Sequence, residues 1–484
     1  MPDVLLGQAY YLRFDPKLWR AMRPFAPLGT LYAASYLRSR GVSVALFDAM
    51  LATSDVEWAL ALDRARPRVA VLYEDSFNYL SKMCLLRMRE AAVRMIGMAR
   101  TRGCDVVVSG SDATDHPDVY LDAGAAAVIL GEGEVTLAEL VGALAEQRDL
   151  STVAGIAFRR DGRLVRGGPR PFLRGLDDLP RPAWDLIDVD RYRDTWRQRH
   201  GYYAINVATT RGCPFHCNWC AKPIYGQRYA VRSAASVVDE IAWLQREYAP
   251  DQLAFVDDVF GLQPGWVGAF AEAVERQRAH TPFRCLMRAD QIDGDVVQAL
   301  SAAGCRMVWM GAESGSQKIL DAMEKGVRVE QIRDAARALQ GSGIHVGLFL
   351  QFGYPGEEWE DVEKTLTLVR EVAPDDIGVS VSYPLPGTKF YERVRAELGS
   401  KQNWTDSDDL AMMYRARYRP EFYRVLHHVV HHEFRTRQLA RRVRELTSRP
   451  QRLRLPDVRR MAAWAYHRAA LPVASFELRR LARS

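Results

Sequence analysis

Three cysteines with a spacing that could hold an iron–sulfur cluster stand at Cys213, Cys217 and Cys220. They directly follow the apolar run 203–207, so they are expected on a short loop after a strand. A fully ligated [4Fe-4S] cluster takes four cysteine thiolates. Three thiolates leave one iron without a protein ligand, and that iron can bind a substrate or cofactor. The spacing therefore predicts chemistry rather than electron storage.

Two other interpretations of these cysteines have less support. Together with His216 they could form a Cys3His zinc site, but His216 lies inside the tight loop, and zinc motifs place their ligand pairs a dozen or more residues apart. A disulfide framework is disfavoured because seven cysteines in 484 residues are sparse and odd in number. The remaining cysteines are isolated in apolar surroundings and are predicted to act as small hydrophobic side chains. They are Cys84, Cys104, Cys285 and Cys305.

The Cys-x3-Cys-x2-Cys motif resembles the signature of the radical S-adenosylmethionine (radical SAM) enzymes. The resemblance implies a partial (β/α)6 barrel, and residues 201–398 alternate strand-like and helix-like runs as that core requires. Six strands are predicted, at 203–207, 252–256, 283–287, 307–310, 346–352 and 377–383. In parallel barrels the reactive groups gather at the carboxyl ends of the strands. The candidate motifs of this chain fall at those ends.

Residues 1–150 show a second strand–helix alternation, which predicts a doubly wound parallel sheet and an α/β fold class. The predicted strands are 4–6, 42–47, 69–73, 105–109 and 126–130. Ligands of such sheets bind beyond the carboxyl ends of the strands. In this chain those ends carry Ser109-Gly110-Ser111 and Gly131-Glu132-Gly133-Glu134, whose glycines allow close backbone approach to a large ligand.

These turns, together with Pro27-Leu28-Gly29 ahead of them, resemble the Rossmann-like cobalamin (B12) binding domain that precedes many radical SAM cores. The resemblance implies that cobalamin contacts Gly110, Ser111, Gly131, Glu132 and Gly133. The Asp-x-His-x-x-Gly motif that supplies a histidine to cobalt in other cobalamin domains does not occur in this chain. A lower axial ligand is therefore expected to be absent or unusual.

Within the core, the resemblance also implies a SAM site. Asp257 and Asp258 after the second strand would bind the methionyl ammonium, although a helix-capping or loop role is also open. Arg288 after the third strand would bind the carboxylate of SAM through two hydrogen bonds, unless it pairs with Asp290 instead. Gly311 leaves room after the fourth strand, and Glu313 would accept hydrogen bonds from the ribose hydroxyls.

Residues 151–200, with two prolines near Trp184, are predicted to be a linker, and residues 399–484 a helical C-terminal region. From residue 411 onward there are 18 Arg and no Lys against 5 Asp and Glu, whereas the whole chain carries only +6. This basic tail is expected to be a solvated helical region that packs against the acidic body. Contact with a membrane surface or a nucleic acid is the alternative. The aromatic segment 413–423 resembles the tail of cobalamin-type radical SAM enzymes and would cover the substrate pocket.

Composition is that of an ordinary globular protein, with 48% hydrophobic and 26% charged residues. No apolar run reaches the ~18 residues that a membrane span needs. The chain starts with a strand-like run rather than a signal peptide, so a reduced, cytoplasmic compartment is expected. Cys84 and Cys104 are too few for the second cluster of a methylthiotransferase.

The resemblance implies cobalamin-dependent methylation of an unactivated carbon, initiated by a 5′-deoxyadenosyl radical that the [4Fe-4S] cluster and SAM generate. The expected partners are a small-molecule or natural-product substrate and a flavodoxin- or ferredoxin-type electron donor, with no specific nucleic acid. An oxidative cyclase or rearranging enzyme on the same scaffold is one alternative. A noncatalytic iron–sulfur protein that binds nucleic acid through its basic tail is the other.

Overall fold

The computed structural model describes residues 1–78, 81, 85–399, 401, 403–447 and 455–483. Its first sheet has seven strands in the order β2-β1-β3-β4-β5-β6-β7. They are β1 (Val4–Gly7), β2 (Val44–Phe47), β3 (Val69–Tyr73), β4 (Asp105–Ser109), β5 (Ala127–Ile129), β6 (Ile156–Arg160) and β7 (Arg163–Arg166). The first five pair in parallel, as predicted for a doubly wound sheet.

The β6–β7 hairpin is not among the predicted strands. It lies in the predicted linker 151–200 and adds to the sheet edge through antiparallel pairing with β5. Ile156, Ala157 and Phe158 are buried there, whereas β7 is only partly covered. The alternation of apolar and polar residues along these short strands covers too few positions to distinguish a strand from a loop in the sequence alone.

The second sheet contains six strands in the order β15-β14-β13-β12-β11-β8, and every pairing is parallel. Apart from the ribbon between β8 and β11, this is the sequential order that a partial barrel requires, so the predicted fold class is confirmed. The strands are β8 (Ala204–Val207), β11 (Gln252–Phe255), β12 (Phe283–Met287), β13 (Cys305–Glu313), β14 (His345–Phe352) and β15 (Asp376–Val381). A short antiparallel ribbon, β9 (Thr210–Arg211) and β10 (Ala230–Val231), follows β8.

The helices connect these strands and cover the sheets with their apolar faces. Around the first sheet and its linker they are Pro16–Ala21, Leu28–Ser39, Val56–Ala65, Leu86–Arg100, Ser111–Asp115, Pro117–Asp122, Glu134–Ala145 and Val189–His200. In the second half they are Ala234–Tyr248, Trp266–Gln277, Gly294–Ala303, Gln317–Ala322, Val329–Gly341, Trp359–Val372, Lys389–Val394, Pro420–Thr447 and Leu455–Ala482. No helix among the described residues is long and apolar enough to cross a membrane.

Burial along the barrel strands defines two faces. Val308, Met310, Val346, Leu348 and Leu350 are almost fully buried. Since side chains alternate along a strand, the residues between them point to the opposite face. The buried set packs under the covering helices, so the alternate set faces the inside of the barrel.

The segment 403–419 returns from the barrel to the first sheet. Ser407 donates its hydroxyl to Asp15 Oδ1 at 2.6 Å, although the two residues are 392 positions apart. The Leu86 amide donates to Trp404 O at 2.8 Å. Because Asp15 and Leu86 belong to the first half of the chain, this segment fastens the two sheets to each other.

Of the isolated cysteines, Cys104, Cys285 and Cys305 are buried, in agreement with a packing role. Cys84 lies outside the described residues.

Candidate active site

The three motif cysteines lie on the loop between β9 and β10, beyond the carboxyl end of β8. Gly212 begins this loop with φ of +77°, and a Cβ at this position would overlap Arg228 O. Only glycine fits that close backbone approach. The sequence therefore folds the loop tightly enough to keep its cysteines in one small region.

Asn218, between the second and third motif cysteines, fixes the loop to the rest of the barrel. Its backbone amide donates to Met323 O at 3.0 Å, and its side-chain Nδ2 donates to Ala322 O at 2.8 Å. Tyr354, after β14, donates its hydroxyl to Asn218 Oδ1 at 2.8 Å. No sequence signal pointed to this role, because all three partners are distant in the chain.

The thiols are partly to fully shielded from water. Burial raises the pKa of Cys213, and it raises the pKa of Cys220 to about 11. Thiolates are the ligands of iron, so cluster assembly must release protons from these groups. Among the described residues, no three His, Cys, Asp or Glu side chains form a group that could hold a metal ion. A [4Fe-4S] cube takes one thiolate for each iron, so its cysteines surround the cube rather than converge on one ion.

Arg288 lies directly beside the cluster loop. Its guanidinium binds Asp290 through two hydrogen bonds of 2.9 Å, so the salt bridge considered as an alternative does form. The same group lies 3.6 Å from the centroid of the Phe215 ring and 3.9 Å from Cys217 Sγ. A contact of Arg288 with SAM stays a prediction.

Glu313 and Lys325 form a buried ion pair at the carboxyl end of β13. Lys325 Nζ donates to Glu313 Oε1 at 2.9 Å, with side-chain exposures of only 9% and 7%. Burial opposes the ammonium charge, but the Glu313 carboxylate and its neighbours raise the pKa of Lys325 above its ordinary value. Lys325 was not singled out from the sequence, since a lone lysine in a turn carries no recognisable pattern.

Backbone geometry aims the Glu313 side chain. The register of β13 against β14 shifts between Gly311 and Glu313, and Glu313 has φ of +58°. Such an extra residue in a strand re-aims the side chain that follows, and a positive φ is costly for a residue other than glycine. A Cβ on Gly311 would lie 2.6 Å from Glu313 Oε1, so Gly311 is required for this arrangement.

The two adjacent aspartates after β11 have different surroundings. Asp257 is buried and accepts hydrogen bonds from the amides of Thr209 and Thr210, both at 2.7 Å. Burial raises the pKa of Asp257 to about 6, although these hydrogen bonds act in the opposite direction. Its carboxylate therefore supports the entry to the cluster loop. Asp258 is exposed, and its charge raises the pKa of Cys213, so it lies on the cluster side.

Both turns of the predicted cobalamin site lie at the carboxyl edge of the first sheet. Gly110 follows β4, and a Cβ there would lie 2.8 Å from Glu74 Cβ. Gly133 lies against Tyr73, whose hydroxyl would be 2.6 Å from an added Cβ. Ser111 is buried and begins the helix Ser111–Asp115 that follows. At Gly110 and Gly133 neighbouring protein atoms already require the absence of a side chain, so contact with cobalamin stays a prediction.

Glu132 has its side chain committed to protein partners. One oxygen accepts from Arg211 Nη1 at 2.6 Å and the other from the Leu173 amide at 2.7 Å. Glu134 accepts from Arg211 Nη2 at 2.6 Å. Burial raises the pKa of Glu132, and the Arg211 charge acts against that shift. The predicted role of Glu132 toward cobalamin could thus involve only its backbone in this arrangement.

The carboxyl edges of the two sheets face each other. Arg211, two residues before Cys213, binds Glu134 after β5, and Tyr225 forms a buried 2.6 Å hydrogen bond with Ser76 after β3. Gly131 lies close to the same loop, because a Cβ added at this position would be 3.4 Å from Ile224 O. The cluster loop and the candidate cobalamin turns are consequently neighbours. The sequence did not predict that they touch.

With this geometry established, comparison with known families defines the class of protein. Residues 207–369 match the model of the radical SAM superfamily. The matched segment contains the three cysteines, the aspartate pair, Arg288, Glu313 and Lys325. Residues 207–369 are therefore a radical SAM domain, as the cysteine motif predicts.

Curated relatives carry methyltransferase and cyclase names. An uncharacterized methyltransferase of Pyrococcus horikoshii is 30% identical over 304 residues, which are 62% of this chain and 65% of that protein. An anaerobic magnesium-protoporphyrin IX monomethyl ester cyclase of Synechocystis is 30% identical over 219 residues, 45% of this chain and 43% of that protein. The chain thus spans less than two thirds of either relative.

Solved structures share the fold of most of the chain. The radical SAM methyltransferase TsrM from Kitasatospora setae, with cobalamin and a [4Fe-4S] cluster bound, has 22% identity and a TM-score of 0.67 over 81% of this chain and 78% of its own. The cobalamin-dependent radical SAM enzyme OxsB, with aqua-cobalamin and SAM bound, has 16% identity and a TM-score of 0.73 over 98% and 72%. The predicted combination of a B12-type sheet and a radical SAM barrel is confirmed at the level of fold.

Proposed function

We propose that this protein is a cobalamin-dependent radical SAM methyltransferase that acts on an unactivated carbon of a small molecule. One observation carries the proposal: the cluster loop and the candidate cobalamin-binding edge of the first sheet are in direct contact through Arg211 and Tyr225. A radical generated beside the barrel and a methyl donor held at the first sheet could then meet at one substrate. The methyltransferase name of the P. horikoshii relative agrees with this proposal.

Different residues of this chain would hold the cluster and SAM. Cys213, Cys217 and Cys220 would hold three irons of the cluster, and Asp258 and Glu313 would meet SAM at the neighbouring strand ends. When bound, the cluster and SAM supply the radical, and cobalamin supplies the methyl group. The protein itself positions these groups and excludes water and oxygen. Reduction would come from a flavodoxin- or ferredoxin-type donor.

The inner face of the barrel favours a substrate with an apolar part. Trp309 and Phe349 stack there with ring centroids 4.6 Å apart, and Phe349 is 37% exposed. Gly347 and Gly378 leave the room that these rings occupy, since any Cβ there would overlap them or lie within 2.7 Å. An exposed aromatic pair in a concave site provides contact area for a hydrophobic or planar group.

The second candidate is an oxidative cyclase. Cyclases of Synechocystis and Rubrivivax gelatinosus are 30% and 27% identical to this chain over 219 and 387 residues. Both reactions would begin with hydrogen abstraction, so they share the barrel residues. They differ in the product: one gains a methyl group, and the other loses hydrogen.

The test is anaerobic reconstitution with iron, sulfide and hydroxocobalamin, followed by metal counts and visible spectra. We expect about four irons and one cobalt per chain, and 5′-deoxyadenosine after reduction with SAM present. The triple variant Cys213→Ala/Cys217→Ala/Cys220→Ala should lose iron and keep cobalt. Cys305→Ala, a buried cysteine outside the loop, is the matched control and should keep both.

Each contrary result has a distinct meaning. Iron without cobalt would overturn methyl transfer and favour a barrel that works without cobalamin. Dehydrogenated or cyclised product without a methylated one would favour the cyclase. Iron retained by the triple cysteine variant would refute the assignment of the cluster. Steeply salt-dependent RNA or DNA binding with no SAM cleavage would favour the noncatalytic alternative.

A further inference from the structure

The last helix, Leu455–Ala482, carries an apolar stripe that faces away from the protein. Val458, Tyr466, Val473 and Phe476 are 53%, 64%, 71% and 75% exposed. At about 100° per residue these four positions fall within an arc of about 80° on the helix surface. Four of the nine large apolar side chains that are exposed among the described residues lie on this one stripe, so it is not random surface variation.

The opposite side of this helix is the one that packs on the protein. Leu478 is 2% exposed, and His467 Nδ1 lies 2.9 Å from His432 Nδ1 on the helix Pro420–Thr447. Both positions are at about 180–200° from Val458 by the same helical geometry. Packing against the neighbouring helix therefore accounts for that side and leaves the apolar stripe uncovered.

Exposed arginines border the stripe. Arg459, Arg468, Arg479, Arg480 and Arg483 are all exposed. By helical geometry Arg480 lies within the arc of the stripe and the others lie on its two sides. Residues 455–483 contain six Arg against one Asp and one Glu, which makes the helix strongly basic.

We propose that this stripe docks the protein on the surface of a membrane that contains anionic lipids. Exposed apolar and aromatic side chains on one side of a helix can insert at the boundary of headgroups and acyl chains, while the arginines beside them meet anionic headgroups. Tyr466 and Phe476 provide the aromatic anchors. A second copy of this chain is a poorer occupant, since pairing two such stripes would bring rows of arginine together. The docking is peripheral and does not depend on the proposed methyl transfer.

The test measures binding of the full-length protein to sedimented vesicles of phosphatidylcholine, with and without 30 mol% phosphatidylglycerol. We expect binding only to the anionic vesicles, and we expect it to weaken as salt is raised because exposed charges are screened. The variant Val473→Ser/Phe476→Ser should lower the partition coefficient about tenfold or more, through lost apolar insertion. Arg479→Gln/Arg480→Gln should lower it about fivefold for each arginine removed.

The matched control is Val56→Ser/Leu60→Ser, which removes exposed apolar side chains from a helix of the first domain. These residues are 57% and 52% exposed, so folding should be equally tolerant of their change. Binding that is equal in all variants, or equal on neutral and anionic vesicles, would overturn the proposal. So would a concentration-dependent dimer in light scattering that Val473→Ser/Phe476→Ser abolishes, because the stripe would then be an interface between copies of the chain.

Discussion

Arg211 Nη2 lies 2.6 Å from Glu134 Oε1, and this contact joins the cluster loop to the edge of the first sheet. Both side chains are almost inaccessible, at 4% and 2% exposure. Arg211 also binds Glu132 at 2.6 Å, so one guanidinium neutralises much of the charge of two buried carboxylates. The two halves of the proposed reaction centre are held together by this arginine.

Replacing Arg211 by methionine should therefore be strongly destabilising. Removing one partner of a buried ion pair costs about 3–5 kcal/mol, because the remaining charge is left uncompensated. Urea denaturation measures the change. Arg148→Met removes an exposed pair with Glu146, and should change the unfolding free energy by less than about 1 kcal/mol. Equal effects of the two substitutions would show that Arg211 does not hold the two sheets together.

Lys325→Met should leave Glu313 buried without its partner. We expect a loss of unfolding free energy of about 3–5 kcal/mol, and partial recovery when Glu313→Gln is added. Lys389→Met is the control, since Lys389 pairs with Glu324 at the surface, where their exposures are 71% and 42%. A double variant no more stable than Lys325→Met would contradict a direct pairing.

Asp257→Asn should weaken the entry to the cluster loop. Oδ1 of the carboxylate accepts from the Thr209 and Thr210 amides, and Oδ2 accepts from the Thr209 hydroxyl at 2.8 Å. An asparagine Oδ1 can accept from both amides, but its Nδ2 cannot accept from the hydroxyl. We expect a loss of about 1–3 kcal/mol in unfolding free energy and a lower iron content after reconstitution. Asp293→Asn is a matched change at a helix N-cap, where asparagine is as good as aspartate, and it should be neutral. Full iron content and stability in Asp257→Asn would refute this role.

Two buried glutamates should make the stability depend on pH. Burial raises the pKa of Glu74 and of Glu357 to about 8 each. An acid with a raised pKa binds more protons in the folded state, so its contribution to stability is full below about pH 4.5 and is lost as the pH rises through 8. We expect each group to lower the unfolding free energy by about 1 kcal/mol per pH unit across that window.

Glu74→Gln and Glu357→Gln should each remove part of that decline, as urea denaturation between pH 5 and 8 would show. Glu139→Gln is the same substitution at a half-exposed carboxylate and serves as the matched control, against which the two buried variants should show the smaller decline. A profile that stays the same in both buried variants would mean that other groups cause the decline.

Local patterns in the sequence were sufficient for the parallel strands of both sheets and for the cluster loop, but not for the antiparallel hairpin β6–β7 or the ribbon β9–β10. The three cysteines are close in the chain, and the motif residues follow strands whose carboxyl ends a parallel barrel brings together. Lys325 and Asn218 could not be predicted, because their partners are brought near only by the barrel. The different roles of Asp257 and Asp258 could not be predicted either, because adjacent residues at a strand end differ in burial only after the sheet is formed.

The returning segment 403–419 has a consequence for the order of synthesis. All strands of the first sheet precede residue 170, yet Asp15 and Leu86 meet Ser407 and Trp404 only when those residues have left the ribosome. At about 5–20 residues per second, that wait lasts tens of seconds. Until then, the two sheets are joined by the contacts of Arg211 and Tyr225 but not by the segment 403–419. We expect bulky cofactors to enter most easily in that interval, which supplying cobalamin before and after synthesis in a cell-free system would test. The segment made just after the barrel would then close the gap between the two sheets once the cofactors are in place.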